Sequence, residues 1–198
     1  MVKAKKDYEK VIKDCDEAIR LNPKDAEAYK KRGDAKFTLG DKEGAIKDYD
    51  ETIKLDPKYA VAYYNRGNAK FYLGDKEEAI KDYDETIRLN PNDAEAYINR
   101  GSAKFYVGDK EGAIKDYDEA IKLEPEFTEA YINRGSAKSD LGDEEGAIKD
   151  YDEAIRLNPN DAVAYYNRGV TKATLGDKKG AIKDYDKAIS LEDRKSVV

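Results

Sequence analysis

The sequence predicts an all-α fold of repeated antiparallel helix pairs. Three observations carry this: a strict 34-residue period, amphipathic spacing in each half of the period, and a Gly-Asp break between the halves. NRG recurs at 65–67, 99–101, 133–135 and 167–169, with KRG at 31–33. GAIKDYD or EAIKDYD recurs at 44–50, 78–84, 112–118, 146–152 and 180–186. A fixed period of this kind marks a repeat architecture, because one helix pair buries its apolar face only against its neighbours. Five units therefore tile 26–59, 60–93, 94–127, 128–161 and 162–195, and residues 7–25 match only the second half of a unit. The expectation is one array over 1–198 with about 11 helices.

The elements follow in order. A lone second helix over about 7–21 keeps Val11, Ile12, Ala18, Ile19 and Leu21 in register. In each full unit the first helix, for example 61–73, places Ala62, Tyr63, Gly67, Ala69 and Leu73 along one side. The second, for example 76–89, places Ala79, Ile80, Tyr83, Ile87 and Leu89 at spacings of 3 and 4. Gly40, Gly74, Gly108, Gly142 and Gly176 stand where a left-handed residue ends the first helix. Asp41, Asp75, Asp109, Asp143 and Asp177 then cap the second. Pro23, Pro57, Pro91, Pro125 and Pro159 close the second helices, since the residue before proline avoids the helical conformation. Asp25, Asp93 and Asp161 cap the next first helix; Tyr59 and Phe127 interrupt this series, and Thr128 is expected to stand in. The last second helix, 177–191, runs into LEDRKSVV, which offers no further amphipathic helix. Weak self-association through the terminal helices is expected, because repeat arrays usually need polar caps.

Composition narrows the chemistry. With 37 Lys+Arg against 43 Asp+Glu and no His, most zinc sites and every His-based triad are excluded. The net charge of -6 argues against nucleic acid, whose readers show a clustered excess of Lys and Arg. No apolar run approaches membrane-spanning length, and the first residues lack a signal-peptide core. The single Cys15 fits a reducing compartment and occupies the place of a repeated Tyr, so it reads as a small core residue. A cytoplasmic protein without membrane contact, cofactor or metal is expected, and not an enzyme.

Counting positions from the start of each unit, Gly at 8 sits mid-helix at a cost of about 1 kcal/mol against Ala, which implies close backbone approach. The Tyr at 4 and 24 are read as core. Arg at 7 and Lys at 11 recur in all five units, with Asp at 23 and 25. A partly buried charge ladder is expected, with Arg66 near Asp82 or an acid of the adjoining unit. The carboxylate pairs themselves, such as Asp48 and Asp50, read as a solvated face and not as an acid–base or metal site.

Tyr at 4, Gly at 8, Ala at 20, Tyr at 24 and Pro at 32 closely resemble the tetratricopeptide repeat, over residues 7–195. Arg at 7, where the family usually has Leu, and Lys at 11, often aromatic there, depart from it. The resemblance implies a right-handed superhelical solenoid whose concave groove is lined by positions 2, 5, 6, 9, 12 and 13 of the first helices. It implies a protein-interaction scaffold holding an extended peptide or partner helix.

Carried onto this chain, the groove places Tyr64, Asn65, Asn68, Phe71, Tyr72, Ile98, Asn99, Phe105, Tyr106, Asn133, Tyr166 and Asn167 against the ligand. Asn65, Asn99, Asn133 and Asn167 look like the ladders that hold a peptide main chain, and carboxamides do offer both donors and acceptors. Plain duplication would copy the same row without any ligand. The two-carboxylate clamp for chaperone tails does not fit: Lys30 and Asn65 match it, whereas Asp34, Glu95 and Asn99 do not. Starting one unit later, Asn68 and Asn99 match, whereas Tyr64, Glu129 and Asn133 do not. A second reading stays open, in which the chain is an engineered or excised array that only folds and self-associates.

Overall fold

The computed structural model describes the backbone of residues 2–196 and the side chains of residues 5–193. Eleven helices and no strand occur among the described residues: α1 (Val2–Leu21), α2 (Ala26–Thr38), α3 (Lys42–Leu55), α4 (Ala60–Leu73), α5 (Lys76–Leu89), α6 (Ala94–Tyr106), α7 (Lys110–Leu123), α8 (Thr128–Asp140), α9 (Glu144–Leu157), α10 (Ala162–Thr174) and α11 (Lys178–Ser196). The first and last helices are longer than the repeat predicts, starting before Asp7 and running beyond Leu191. Val197 and Val198, the end of LEDRKSVV, lie outside the described residues, as does Met1. The chain divides into two compact units, one up to Ala103 and one from Lys104. In the first, α1 packs on α2, α2 on α3, α3 on α4 and α4 on α5. In the second, α7 packs on α8, α8 on α9, α9 on α10 and α10 on α11.

The turn inside each pair is built as its residues dictate. Gly74 adopts φ 97°, and the other four glycines of the series are equally left-handed. This conformation lets the Asp75 N–H reach the Lys70 carbonyl at 3.0 Å, with the same bond from Asp41, Asp109, Asp143 and Asp177. The loose carbonyls of the helix end are thereby satisfied. Asp41, Asp109, Asp143 and Asp177 then accept from the backbone N–H three residues on, at 2.9 to 3.0 Å.

Asp75 is the exception and makes no side-chain cap bond. Its third residue on is Glu78, whereas the other four have glycine there. A Cβ on Gly44 would stand 2.0 Å from the Asp41 carboxylate, and Gly112, Gly146 and Gly180 are equally crowded. A side chain at that position therefore displaces the cap. Thr128 does not act as a cap either: the N-cap of α8 is Phe127, without a side-chain bond, and the Ala130 N–H is satisfied by the Phe127 carbonyl at 3.0 Å.

Small residues and one large ring make the core. Ala45, Ala79, Ala113 and Ala147 are fully buried beside Tyr49, Tyr83, Tyr117 and Tyr151. The mid-helix glycine explains itself here, since a Cβ on Gly67 would lie 2.8 Å from the Tyr83 ring and one on Gly135 2.8 Å from Tyr151. Helix propensity is given up so that a tyrosine can lie flat on backbone. The Tyr at position 4 differs: Tyr63 is half-buried and carries the Arg66 guanidinium 5.5 Å above its ring, an arrangement found in all five units. Cys15 is buried as expected, and burial pushes its thiol up.

The charged residues are not a solvated face. Asp48, Asp82, Asp116, Asp150 and Asp184 are buried, while Asp50 and its equivalents stay half-exposed. Arg66 donates from Nε and Nη2 to both oxygens of Asp82, at 2.9 and 2.6 Å, and from Nη1 to Asp50 of the preceding repeat at 2.5 Å. Lys70 reaches the second Asp82 oxygen at 2.8 Å. The same pattern joins Arg32 to Asp48 and Asp16, Arg134 to Asp150 and Asp118, and Arg168 to Asp184 and Asp152. The predicted ladder is thus present, and Arg66 meets both acids named for it.

Burial pushes the Asp184 carboxyl up, but hydrogen bonds from Arg168 and Lys172 outweigh it and hold the group below its ordinary value. A lowered folded-state value gives stability above the unfolded carboxylate range near about 4, lost as the pH falls through the folded value. Arg168→Leu is expected to cost about 2 kcal/mol at neutral pH, less than a fully broken buried pair because Lys172 remains. Denaturant titrations should show the cost shrinking below about pH 4, where protonated Asp184 no longer needs the counter-ion. Separately, Asp109→Ala is expected to lose about 1 kcal/mol and Asp75→Ala clearly less, since only Asp109 holds a cap bond.

Candidate functional site

The face built by positions 2, 5, 6, 9, 12 and 13 belongs to the first helix of each repeat, so a side chain at 6 stands beside position 9 of the repeat before. In the first unit Asn65 Nδ2 donates to Asp34 at 2.8 Å. Asn99 Nδ2 donates to Asn68 Oδ1 at 3.1 Å and to the Tyr64 hydroxyl at 2.8 Å. In the second, Asn167 Nδ2 donates to Ser136 Oγ at 3.4 Å. Position 9 is a junction, because it also receives the buried tyrosine: Tyr49 donates to Asp34 at 3.0 Å, Tyr83 to Asn68 at 2.8 Å and Tyr151 to Ser136 at 3.2 Å.

The asparagine row thus spends amide N–H groups on its own scaffold. Asn99 has both amide N–H groups engaged and offers a ligand the acceptor Oδ1, whereas Asn65 and Asn167 each spend one N–H on the scaffold and offer Oδ1 together with the second N–H. A helix position with mediocre propensity is explained by this neighbour bond without any ligand. Sequence reasoning missed the junction, although a signal was there. Asp34, Asn68, Ser102 and Ser136 are all polar, and each precedes an Asn by 31 residues.

The other predicted residues divide into three groups. Tyr72 and Tyr106 project strongly, with 67% and 65% of their surface exposed, and Tyr166 is exposed as well. Tyr64, Phe71 and Phe105 are half-buried, as is Asn68. Ile98 retains only 2% of its surface and belongs to the core, so it offers nothing to a ligand. Its β-branched side chain fills the place that Tyr64 fills one unit earlier, but without a polar tip to hold it at the surface. Burial pushes the Tyr64 hydroxyl up to about 12, and the group donates to Glu95 at 3.1 Å.

Aromatic rings and lysines gather at the C-terminal ends of the first helices. In the first unit Tyr72 lies 5.8 Å from Phe37 and 6.0 Å, edge-on, from Phe71. Lys42 stands 5.8 Å over Tyr72 and 5.9 Å over Phe37, and Lys76 5.2 Å over Phe71. In the second, Tyr106 meets Phe105 edge-on at 5.9 Å, with Lys110 6.0 Å over Phe105 and paired to Asp140 at 3.0 Å. These are amphipathic surfaces, apolar in the middle and cationic at one edge. Asn133 lies in the wall of a cavity in the second unit. Among the described residues no cluster of His, Cys, Asp or Glu is placed to hold a metal ion, and no helix is long and apolar enough to cross a membrane.

Comparison with known proteins agrees with the repeat. Models described as Tetratricopeptide repeat match residues 60–93, 94–127 and 162–194, and one described as TPR repeat matches 33–74 and 139–176. The crystal structure of MamA is 31% identical with a TM-score of 0.78, covering 84% of this chain and 97% of that one. YrrB, titled a TPR protein with an unusual peptide-binding site, is 25% identical with a TM-score of 0.75, covering 90% and 92%. The first TPR of Spaghetti (RPAP3), bound to the HSP90 peptide SRMEEVD, is 30% identical with a TM-score of 0.59, covering 61% of this chain and 96% of that one. No curated protein sequence matches the chain.

The junction makes a clear expectation. Asn99→Ala should lower stability by about 1 to 2 kcal/mol, because two neutral hydrogen bonds are lost. Tyr72→Ala, at an exposed position, should change it by no more than about 0.5 kcal/mol in the same denaturant titration.

Proposed function

Because the chain belongs to the tetratricopeptide repeat family, we propose that it is a protein-interaction scaffold holding an extended peptide or a partner helix against its first helices. The observation that carries this reading is the exposure of aromatic side chains on the first helices, Tyr72 in the first unit and Tyr106 and Tyr166 in the second. Exposed rings backed by half-buried Phe71 and Phe105 give a ligand large apolar contact at little conformational cost. Asn65, Asn99, Asn133 and Asn167 take a smaller part than a peptide clamp would need: their carbonyl oxygens accept from a ligand main chain, while amide N–H groups of Asn65, Asn99 and Asn167 serve the repeat. The peptide bound to Spaghetti (RPAP3) ends in acids. Here Asp34 and Glu95 stand where a clamp for such a tail needs Asn and Lys, so a chaperone tail is not the ligand proposed.

The reading takes the protein as non-enzymatic, without a cofactor, partnered by protein or peptide and not by nucleic acid or membrane, and acting in the cytoplasm. Weak pairing of copies through α1 and α11 belongs to it. Ile182 and Ile189 on α11 are exposed, whereas Ile80 and Ile87 at the same repeat positions are half-buried. One observation favours the competing reading of an array without a native ligand, namely the internal use of the asparagine donors.

A peptide-array screen followed by solution titration decides between them. Binders are expected whose affinity falls about tenfold or more on Tyr72→Ala with Tyr106→Ala, as is usual when central aromatic contacts are truncated. The helical circular dichroism should be unchanged. Absence of any binder, or binders indifferent to those two substitutions, would overturn the scaffold reading.

A further inference from the structure

The five connections from a second helix to the next first helix are close copies except one. NPKDAE, DPKYAV, NPNDAE and NPNDAV each have at least one Lys or Asn among their polar residues, whereas EPEFTE at 124–129 has three acids, no base and no amide. Glu126 stands where Lys24, Lys58, Asn92 and Asn160 stand elsewhere, and Phe127 replaces a capping Asp. The Tyr131 hydroxyl donates to the Pro125 carbonyl at 3.1 Å and pins this connection to α8.

Beside it the structure opens a cavity of about 510 Å³ within the second unit, walled by Glu126, Phe127, Glu129, Ile132, Asn133, Val163 and Asp161. Phe127, Ile132 and Val163 form an apolar side, and Glu126 and Glu129 are exposed. Asp161 accepts from the Val163 and Ala164 N–H groups through Oδ1 as the cap of α10 and keeps its negative charge. No lysine or arginine lines the cavity. Arg156, whose charge reaches Glu126, is held by Glu153 through two bonds of 2.9 and 2.6 Å.

Two opposing fields meet here. The start of α8 contributes roughly half a positive charge, confined to its first turn. Glu126, Glu129 and the capping Asp161 each contribute a full negative charge, so the carboxylates decide the sign. An apolar wall beside exposed carboxylates fits a side chain with an aliphatic stem and a cationic head.

We propose that this cavity takes a lysine or arginine side chain from a segment lying along the first helices. Phe127 and Val163 pack on the methylene stem over the buried Ile132, and Glu126 and Glu129 pair with the head. The source of the segment rests on the scaffold reading above; the chemistry of the cavity does not. It gives the second unit a preference that the first unit lacks, since the positions of Glu126 and Glu129 hold Lys24 with Glu27, Lys58 with Val61 and Asn92 with Glu95 there, never two acids.

The test titrates the full, isotope-labelled chain with N-acetyl-lysine methylamide and with its norleucine counterpart, followed by amide chemical shifts. The lysine probe is expected to move residues 126–133 and 161–163, with half-saturation about 5- to 10-fold lower than the norleucine probe, in line with two surface charge pairs. Glu126→Gln with Glu129→Gln, both exposed and outside the core, should remove most of that difference, leaving only the share of Asp161, while the spectrum stays otherwise folded. Equal response to the two probes, or none at these residues, would overturn the proposal. If array peptides bind along the first helices with no preference for a basic residue, the cavity proposal falls and the scaffold reading stands. If the lysine probe binds selectively and no peptide does, the scaffold reading falls and the cavity stands.

Discussion

Burying one carboxylate in the second helix of each full repeat is the constraint around which these repeats are arranged. Removing an unpaired carboxylate from water costs several kcal/mol even after relaxation, so Asp82 and its equivalents need cations at hand. Arg at position 7 and Lys at 11 supply them from the first helix of the same pair. Because the guanidinium is a planar fork, it can satisfy both Asp82 oxygens and still turn its remaining nitrogen to Asp50 of the repeat before. One side chain thus fixes the angle within a pair and ties the pair to its neighbour. A leucine at that place would pack, but it would orient nothing.

The rest of the core follows from that geometry. With Arg66 bonded to Asp82, the neighbouring Gly67 meets Tyr83 of the same second helix, so closely that only glycine fits against the tyrosine ring. The hydroxyl of that ring then needs an acceptor, and position 9 provides it. Position 9 in turn passes the connection to the asparagine of the next repeat. Apolar burial by alanines supplies little directional information, so the register between repeats comes from these polar chains.

Much of this was legible in the residues. The period, the left-handed glycines, the proline stops and the pairing of Arg66 with Asp82 all follow from local rules acting through short-range geometry. The failures have physical causes. KDYDE reads as a solvated strip because a charged residue is normally exposed, and only the recurrence of Arg in place of Leu hinted that Asp82 lies inside. Asp75 looked like its four counterparts, yet the residue three places on decides whether the carboxylate has room to cap. Ile98 was placed by position on the ligand face, but an isoleucine sinks where a tyrosine with a wet hydroxyl stays half out. The amides at position 6 were legible as hydrogen-bonding groups; which partner claims them depends on a residue 31 places earlier.

The two acids held by each guanidinium differ in their access to water, and this has a consequence for how the array responds to its medium. The inner contact, to Asp82, is shielded from ions, whereas the outer one, to Asp50, sits within reach of dissolved salt. Raising ionic strength should therefore loosen the links between successive hairpins more than the hairpins themselves. In the language of one-dimensional chains, the nearest-neighbour energy becomes adjustable while the intrinsic energy stays put. Melting would then grow less cooperative, each hairpin leaning less on the next as the electrolyte around it thickens.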